Sequence, residues 1–156
     1  MIVTDPSELQ AALNKGERLF GLDLGEKTIG VALSDVLLTV ATPLETLARR
    51  KFSLDAEDLI ALIKKHGVGG LVIGLPLNMN GTEGPSAQSA RAFARNFLAK
   101  HDMPILFWDE RLSTAAVTRT LIEADVSRAK RKDVVDKMAA SFILQGVLDF
   151  LARKKA

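Results

Sequence analysis

RLFGLDLGEKTIGVALSD, residues 18–35, is the stretch on which the fold turns. In its first half Leu19, Phe20, Leu22 and Leu24 put apolar side chains on both faces of a period-two pattern, the signature of a strand covered on two sides. The pattern predicts strands at about 18–24 and 28–35, joined by GEK into a β-hairpin, with Gly25 suited to the tight turn. Asp23 interrupts the apolar run. A carboxylate there is desolvated at a cost of several kcal/mol unless something pairs with it. Two readings stand: Asp23 has a structural partner, such as a turn amide or an arginine, or it holds a cation for chemistry.

Working outward, DPSELQAALNK (5–15) reads as a short helix with Asp5 as N-cap, Pro6 at the first position, Glu8 completing a capping box and Gly16 ending it. VATPLETLAR (40–49) reads as a third strand, at an edge because of Pro43. SLDAEDLIALIKKH (53–66) is an amphipathic helix capped by Ser53, and GGLVIGLP (69–76) a strand. A Gly- and Asn-rich loop at 78–88 leads into a helix at about 86–100. PILFWDE (104–110) is the fifth strand, and Ser113 or Thr114 starts a helix through about 124. DVSRAKRK (125–132) is basic and irregular, and a last helix runs from about Asp133 to Arg153. Three strands followed by alternating helices and strands predict one mixed-sheet α/β domain over 1–156.

Composition narrows the function. Hydrophobic residues make up 47% and charged residues 26%, a soluble globular balance. No apolar run is long enough for a membrane span, and MIVTDPSELQ lacks the basic start and apolar core of a secretory signal. The absence of cysteine excludes disulfides, thiolate metal sites and a thiol nucleophile, and fits a cytoplasmic protein. A net charge of +2 permits a nucleic-acid partner without demanding one.

Four acids besides Asp23 are placed to matter. Asp109 and Glu110 close the fifth strand in FWDER, on opposite faces of an extended chain, so at most one points naturally into a given site. Asp133 and Asp136 share a face of the last helix, which continues into small Ala140 and lets the helix approach the sheet. If the first and fifth strands are neighbours and this helix crosses their ends, Asp23, one of the DE pair and Asp136 converge. Such a set suits a hard cation, whose remaining positions water and substrate phosphate fill. The plain alternatives are equally concrete. Asp109 or Glu110 would pair with Arg111, and Asp136 would occupy the third position behind an Asp133 N-cap, favouring the helix dipole.

GLDLGEKTIGVALSD, LVIGLPLNMNGTEG, DERLST and KDVVDKMAASFILQGVLD, in that order, resemble the YqgF family. Its members are described as RuvC-like Holliday junction resolvases or as nucleases maturing the precursor of small-subunit (16S) ribosomal RNA. The four blocks span residues 21 to about 149, nearly the whole chain. The resemblance implies an RNase H-like fold with a mixed five-stranded sheet flanked by helices, a core over about 18–152 and an extra short N-terminal helix. It also implies a metal-dependent phosphodiesterase site using Mg²⁺ or Mn²⁺. Carried over, the three acids fall on Asp23, expected at its strand's exposed end, on Glu110 in preference to Asp109, and on Asp136, with Asp133 a further candidate. Lys27, Arg111 and Thr114 match family positions as supports or phosphate contacts. The departure is Lys137-Met138 after the third acid, where smaller residues are common.

Beside such a site, Asn78 and Asn80 are candidate contacts to a nucleic-acid backbone, and so are Arg128, Lys130, Arg131 and Lys132. The competing explanations are turn geometry for the asparagines and a solvated charged loop for the basic run. Trp108 reads as core; His66 and His101 read as helix-end residues. Three functions follow. The first is a cytoplasmic nuclease on structured nucleic acid, with ribosomal RNA precursor ahead of a DNA junction. The second is an actin- or Hsp70-like ATPase, for which one domain supplies half of the cleft. The third is an RNA-binding module whose acids are structural. The sequence announces no dimer interface.

Overall fold

The computed structural model describes residues 1–112 and 128–155. Its elements in chain order are β1 (Ile2–Val3), α1 (Pro6–Ala12), β2 (Arg18–Leu24), β3 (Thr28–Ser34), β4 (Ala41–Ala48), α2 (Phe52–His66) and β5 (Val68–Leu75). There follow α3 (Pro85–Lys100), β6 (Ile105–Asp109), a 3₁₀ turn (Glu110–Leu112) and α4 (Arg128–Lys155). The expected helix at 113–124 lies outside the described residues.

The strands form one sheet in the order β1-β6-β5-β2-β3-β4. β2, β3 and β4 are an antiparallel meander, whereas β5 pairs β2 in parallel, β6 pairs β5, and β1 pairs β6. The sixth strand corrects the expected five. Two residues carry too little pattern to register as a strand, and β1 is defined only by its pairing of Ile2 with Ile105 and Val3 with Leu106. β4 is the edge, and the register slips where Pro43, without an amide hydrogen, faces Ala32.

Both faces of the central strands are covered. Phe20, Leu22, Leu71, Ile73 and Ile105 point towards α2 and α3, where Leu59, Phe93 and Phe97 close one core. Leu19, Val72 and Leu106 point the other way, onto Leu9 of α1 and onto Ile143, Leu144, Val147 and Leu148 of α4. Each fully buried large side chain contributes about 1.5–3 kcal/mol, so the two cores hold the sheet rigid between them. Gly21 lets α4 lie directly on β2: a Cβ there would stand 2.7 Å from the Ala140 carbonyl oxygen and 2.7 Å from the Leu144 Cβ.

Three local expectations are corrected. Asp5 caps α1 by accepting the Glu8 amide at 3.0 Å, but the Glu8 carboxylate takes the Thr4 hydroxyl, and the helix ends at Ala12. α2 starts at Phe52 rather than behind a Ser53 cap; Asp55, in its first turn and buried, accepts the Arg50 amide at 3.0 Å. α4 begins at Arg128, so much of the basic run read as irregular is helical. Ala, Lys and Arg are strong helix formers, and that preference outweighs their mutual repulsion here.

Candidate active site

β2 brings Asp23 to the C-terminal end of the sheet. Its side chain shares the α4 face with Gly21, two residues earlier on the strand. The expected exposed strand end is corrected: Asp23 keeps only 9% of its accessible surface. On one flank it pairs with Gly30 of β3. On the other, Leu22 pairs with Ile73, so one step further Asp23 runs alongside Gly74 of β5, about 4.8 Å away.

Gly74 marks the meeting point. A Cβ built on it would fall 2.9 Å from Glu110 Oε1 and 2.4 Å from Ile143 Cδ1. Glu110 belongs to the 3₁₀ turn that follows β6, not to the strand, which corrects the expected strand end at 110. The turn folds the half-buried Glu110 carboxylate back over Gly74, on the face that carries Asp23. Two carboxylates 87 residues apart in sequence are thereby brought to adjoining positions on one face of the sheet. The gap left by the missing Gly74 side chain is what admits the second of them.

Asp109 is committed elsewhere. Its carboxylate accepts the Arg111 backbone amide at 2.9 Å and the guanidinium through Nε at 3.1 Å and Nη2 at 2.8 Å. The hydrogen bonds from Arg111 hold the Asp109 carboxyl below the usual aspartate range against the opposing effect of burial. Arg111 Nη1 also donates to the Met79 carbonyl at 3.3 Å, which ties the 78–82 loop to the end of β6. Within that loop Asn78 Nδ2 donates to Thr82 Oγ1 at 2.9 Å, and Asn80 Oδ1 accepts the Thr82 amide at 3.1 Å. Both asparagines hold the turn.

Asp136 lies on α4 one turn before Ala140, whose carbonyl borders Gly21. Its side chain and those of Asp133, Arg128, Lys130, Arg131 and Lys132 are outside the described set, as is Thr114 altogether. The early start of α4 puts Asp133 beyond the first turn, so the reading of Asp136 as a third-position dipole acid behind an Asp133 cap is corrected. Among the described residues no three His, Asp or Glu side chains form a metal cluster.

Arg49 escaped the sequence reading. It donates to the Gly25 carbonyl at 2.8 Å, lies 5.8 Å from the Phe93 ring centre, and with Ser86 and Ser89 lines a groove of about 220 Å³ beside the β2–β3 turn. Exposed Lys27 is in the same turn, where its carbonyl accepts the Arg49 amide at 2.8 Å. Only the spacing of Arg49 behind an edge strand could have singled it out, and many surface arginines share that spacing. Trp108 packs against Gly146 and edge-on to Phe150, as a core residue.

A mixed sheet with this strand order and an acid, Asp23, at the end of a central strand is that of the RNase H-like class. The fold matches the structure of T. thermophilus RuvC in complex with Holliday junction substrate, with a TM-score of 0.55 and 12% identity over 90% of this chain and 97% of that one. It also matches the yeast mitochondrial Holliday junction resolvase Ydc2 (TM-score 0.50, 13% identity, 94% and 84% covered). The chain belongs to the RuvX family, described as Holliday junction resolvase, whose model matches residues 17–150. A relative from Paramagnetospirillum magneticum, named "Putative pre-16S rRNA nuclease", is 62% identical, with 96% of each chain covered. One of the same name from Methylocella silvestris is 58% identical over 99% of this chain and 96% of its own.

Proposed function

We propose that this protein is a divalent-metal-dependent nuclease that cuts the precursor of small-subunit ribosomal RNA, acting in the cytoplasm as a single RNase H-like domain. The observation that carries the reading is the approach of Glu110 to Asp23 across Gly74. Two acids brought together in a partly buried cradle that any side chain on Gly74 would fill suit a hard cation better than they suit packing. Asp136 completes the set in this reading. Asp23 is two residues, about 6.6 Å, beyond Gly21 along β2, and Asp136 is about 6 Å before Ala140 along α4. Leu148 and Leu151, later in α4, share a cluster with Leu9, which covers Gly70 near the start of β5; the earlier turns of α4 therefore head for the strand ends.

Mg²⁺ or Mn²⁺ held by Asp23, Glu110 and Asp136 would supply an acidified water and charge stabilisation at the phosphodiester. The carboxylates orient that centre, and the two cores behind them fix the strand ends. Lys27, Arg128, Lys130, Arg131 and Lys132, with the Thr114 hydroxyl as a hydrogen-bond donor, are the proposed substrate contacts; the charges of the lysines and arginines neutralise phosphates, and affinity then falls as salt rises.

The test is cleavage of a labelled ribosomal RNA precursor and a four-way DNA junction side by side, with Mg²⁺, Mn²⁺ or chelator, for wild type and Asp23→Asn. Metal-dependent cutting of the RNA, lost in the variant, is expected. Preference for the junction would move the substrate to DNA, in line with the family's description. Tight binding of either without cutting would make the protein a binding module.

A further inference from the structure

We infer that Asp109 and Arg111 are neither a metal ligand nor a phosphate contact but a strut that positions Glu110 and locks the 78–82 loop beside it; the inference rests on the proposed role of Glu110. The geometry is specific. Asp109 is the last residue of β6, and its carboxylate accepts the Arg111 amide across Glu110, closing the backbone into the 3₁₀ turn at the point where the strand would otherwise continue. Alternation along β6 puts Glu110 on the α4 face with Trp108, which borders Gly146. A strand that continued would carry Glu110 onward past the sheet's end, whereas the turn closed by the strut holds its carboxylate back over Gly74.

The guanidinium then does two things with one planar group. Nε donates to Asp109 Oδ1 at 3.1 Å and Nη2 to Oδ2 at 2.8 Å, in a fork a lysine cannot reproduce. Nη1 reaches across to the Met79 carbonyl, and the guanidinium runs 3.7 Å from the Cβ position of Gly81, so the loop tip is clamped against the same arginine. With its carboxylate engaged in this fork and with the Arg111 amide, Asp109 has little left for a cation. Arg111, directed at protein acceptors by three of its nitrogens, is similarly engaged before a phosphate arrives.

The measurement is a double-mutant cycle of Asp109→Asn and Arg111→Ala on RNA-precursor cleavage, with Arg111→Lys and Glu110→Gln alongside. RNA affinity is read in chelator and Mn²⁺ affinity by titration. A strut predicts that each single variant lowers kcat by about 10- to 100-fold while KM and RNA affinity stay within about twofold. It also predicts that the double variant is no worse than the worse single, and that lysine does not rescue. Added guanidinium ion should partly restore Arg111→Ala.

A rise in KM and a loss of RNA affinity confined to Arg111→Ala would overturn the inference in favour of a phosphate contact. Loss of Mn²⁺ affinity in Asp109→Asn equal to that in Glu110→Gln, but absent in Arg111→Ala, would overturn it in favour of a ligand. If Glu110→Gln itself cuts normally, the site reading has failed. If Glu110→Gln is inactive while both strut variants keep wild-type kcat, only the strut has failed.

Discussion

Two aspartates of one hairpin meet opposite fates. Asp35, just past β3, spends its carboxylate on its own turn, accepting the Thr39 amide at 2.7 Å, the Val40 amide at 3.0 Å and the Thr39 hydroxyl. All its partners lie within five residues, and the turn they make is pinned to α4 by Gln145, which accepts the Ala41 amide at 2.8 Å and donates to the Thr39 carbonyl at 3.1 Å. Asp23 is more deeply buried, and its surroundings come from far along the chain: Gly74 on the neighbouring strand and Glu110 folded over it. A carboxylate satisfied by its sequence neighbours builds local structure. One whose company is assembled by the topology, and includes a second acid, is held there by the whole fold at an electrostatic cost that a bound cation would offset.

The contrast is broken most forcefully at the acids themselves. Asp23→Asn and Glu110→Gln should each lower cleavage by on the order of 10²–10³-fold or more, as expected for removing a group that stabilises charge at the reacting centre. In metal-free buffer each should shift the melting temperature by no more than a few degrees, because losing one of two neighbouring negative charges offsets the loss of that carboxylate's other contacts. A drop of many degrees in chelator, with cleavage retained, would instead make Asp23 a structural acid like Asp35.

The next test compares two glycines under α4. Gly21→Ala drives a methyl into the Ala140 carbonyl and Leu144, far from Glu110, and Gly74→Ala drives one into Ile143 and the Glu110 carboxylate. Both should cost about 1–3 kcal/mol, the usual range for overpacking a tight contact. Gly74→Ala should lower kcat per folded molecule more than Gly21→Ala, measured below both unfolding transitions, because it displaces Glu110 directly whereas Gly21→Ala reaches the site only through α4. Equal kcat values for the two would mean that Glu110 does not depend on the Gly74 cradle.

The same residues separate what sequence pattern encodes from what only the fold supplies. The hairpin, the edge strand with Pro43 and the alternation of β5 and β6 with helices are written in period-two runs and glycine punctuation, and they emerged in place. Asp23 was conspicuous because charge in an apolar strand contradicts its surroundings. β1 was not legible, since a two-residue strand has no pattern of its own and exists only because β6 offers it an edge. The 3₁₀ turn at Glu110 was hidden for a different reason. FWDE reads as continuing strand, and the turn comes with the Arg111 amide donating to the Asp109 carboxylate. The start of α4 was misjudged because clustered charge was weighed above helix preference. The adjacency of Asp23 and Glu110 followed from β5 lying between β2 and β6, a matter of strand order, which spacing along the chain does not encode.

The smallest effect falls on the other aspartate, and it fixes the baseline for the comparison. Burial raises the Asp35 pKa, but the hydrogen bonds from the Thr39 hydroxyl and the Val40 and Thr39 amides outweigh it, and the net displacement is downward. A carboxylate whose pKa is lower folded than unfolded stabilises fully above the unfolded value, about 3.9, and loses that contribution as pH falls through the folded one. Asp35→Asn keeps the shape and removes the charge. At pH 7 it should cost about 1 kcal/mol, because solvent screening of this largely solvated group discounts the roughly 1.5–3 kcal/mol that hydrogen bonds to a charged acceptor are worth. That is a fall of about 2–4 °C in melting temperature for a chain of this size. The gap between wild type and variant should be widest near neutrality and close as pH drops below about 3.9. A gap that stays constant from neutral to acid would mean that the turn does not distinguish carboxylate from amide. Cleavage per folded molecule should be untouched throughout, because the carboxylate that organises the β3–β4 turn shares no partner with the pair across Gly74. A fall in cleavage would show that α4, held at Gln145 by that turn and at Gly21 by β2, transmits a change at one end of the sheet to the acids at the other.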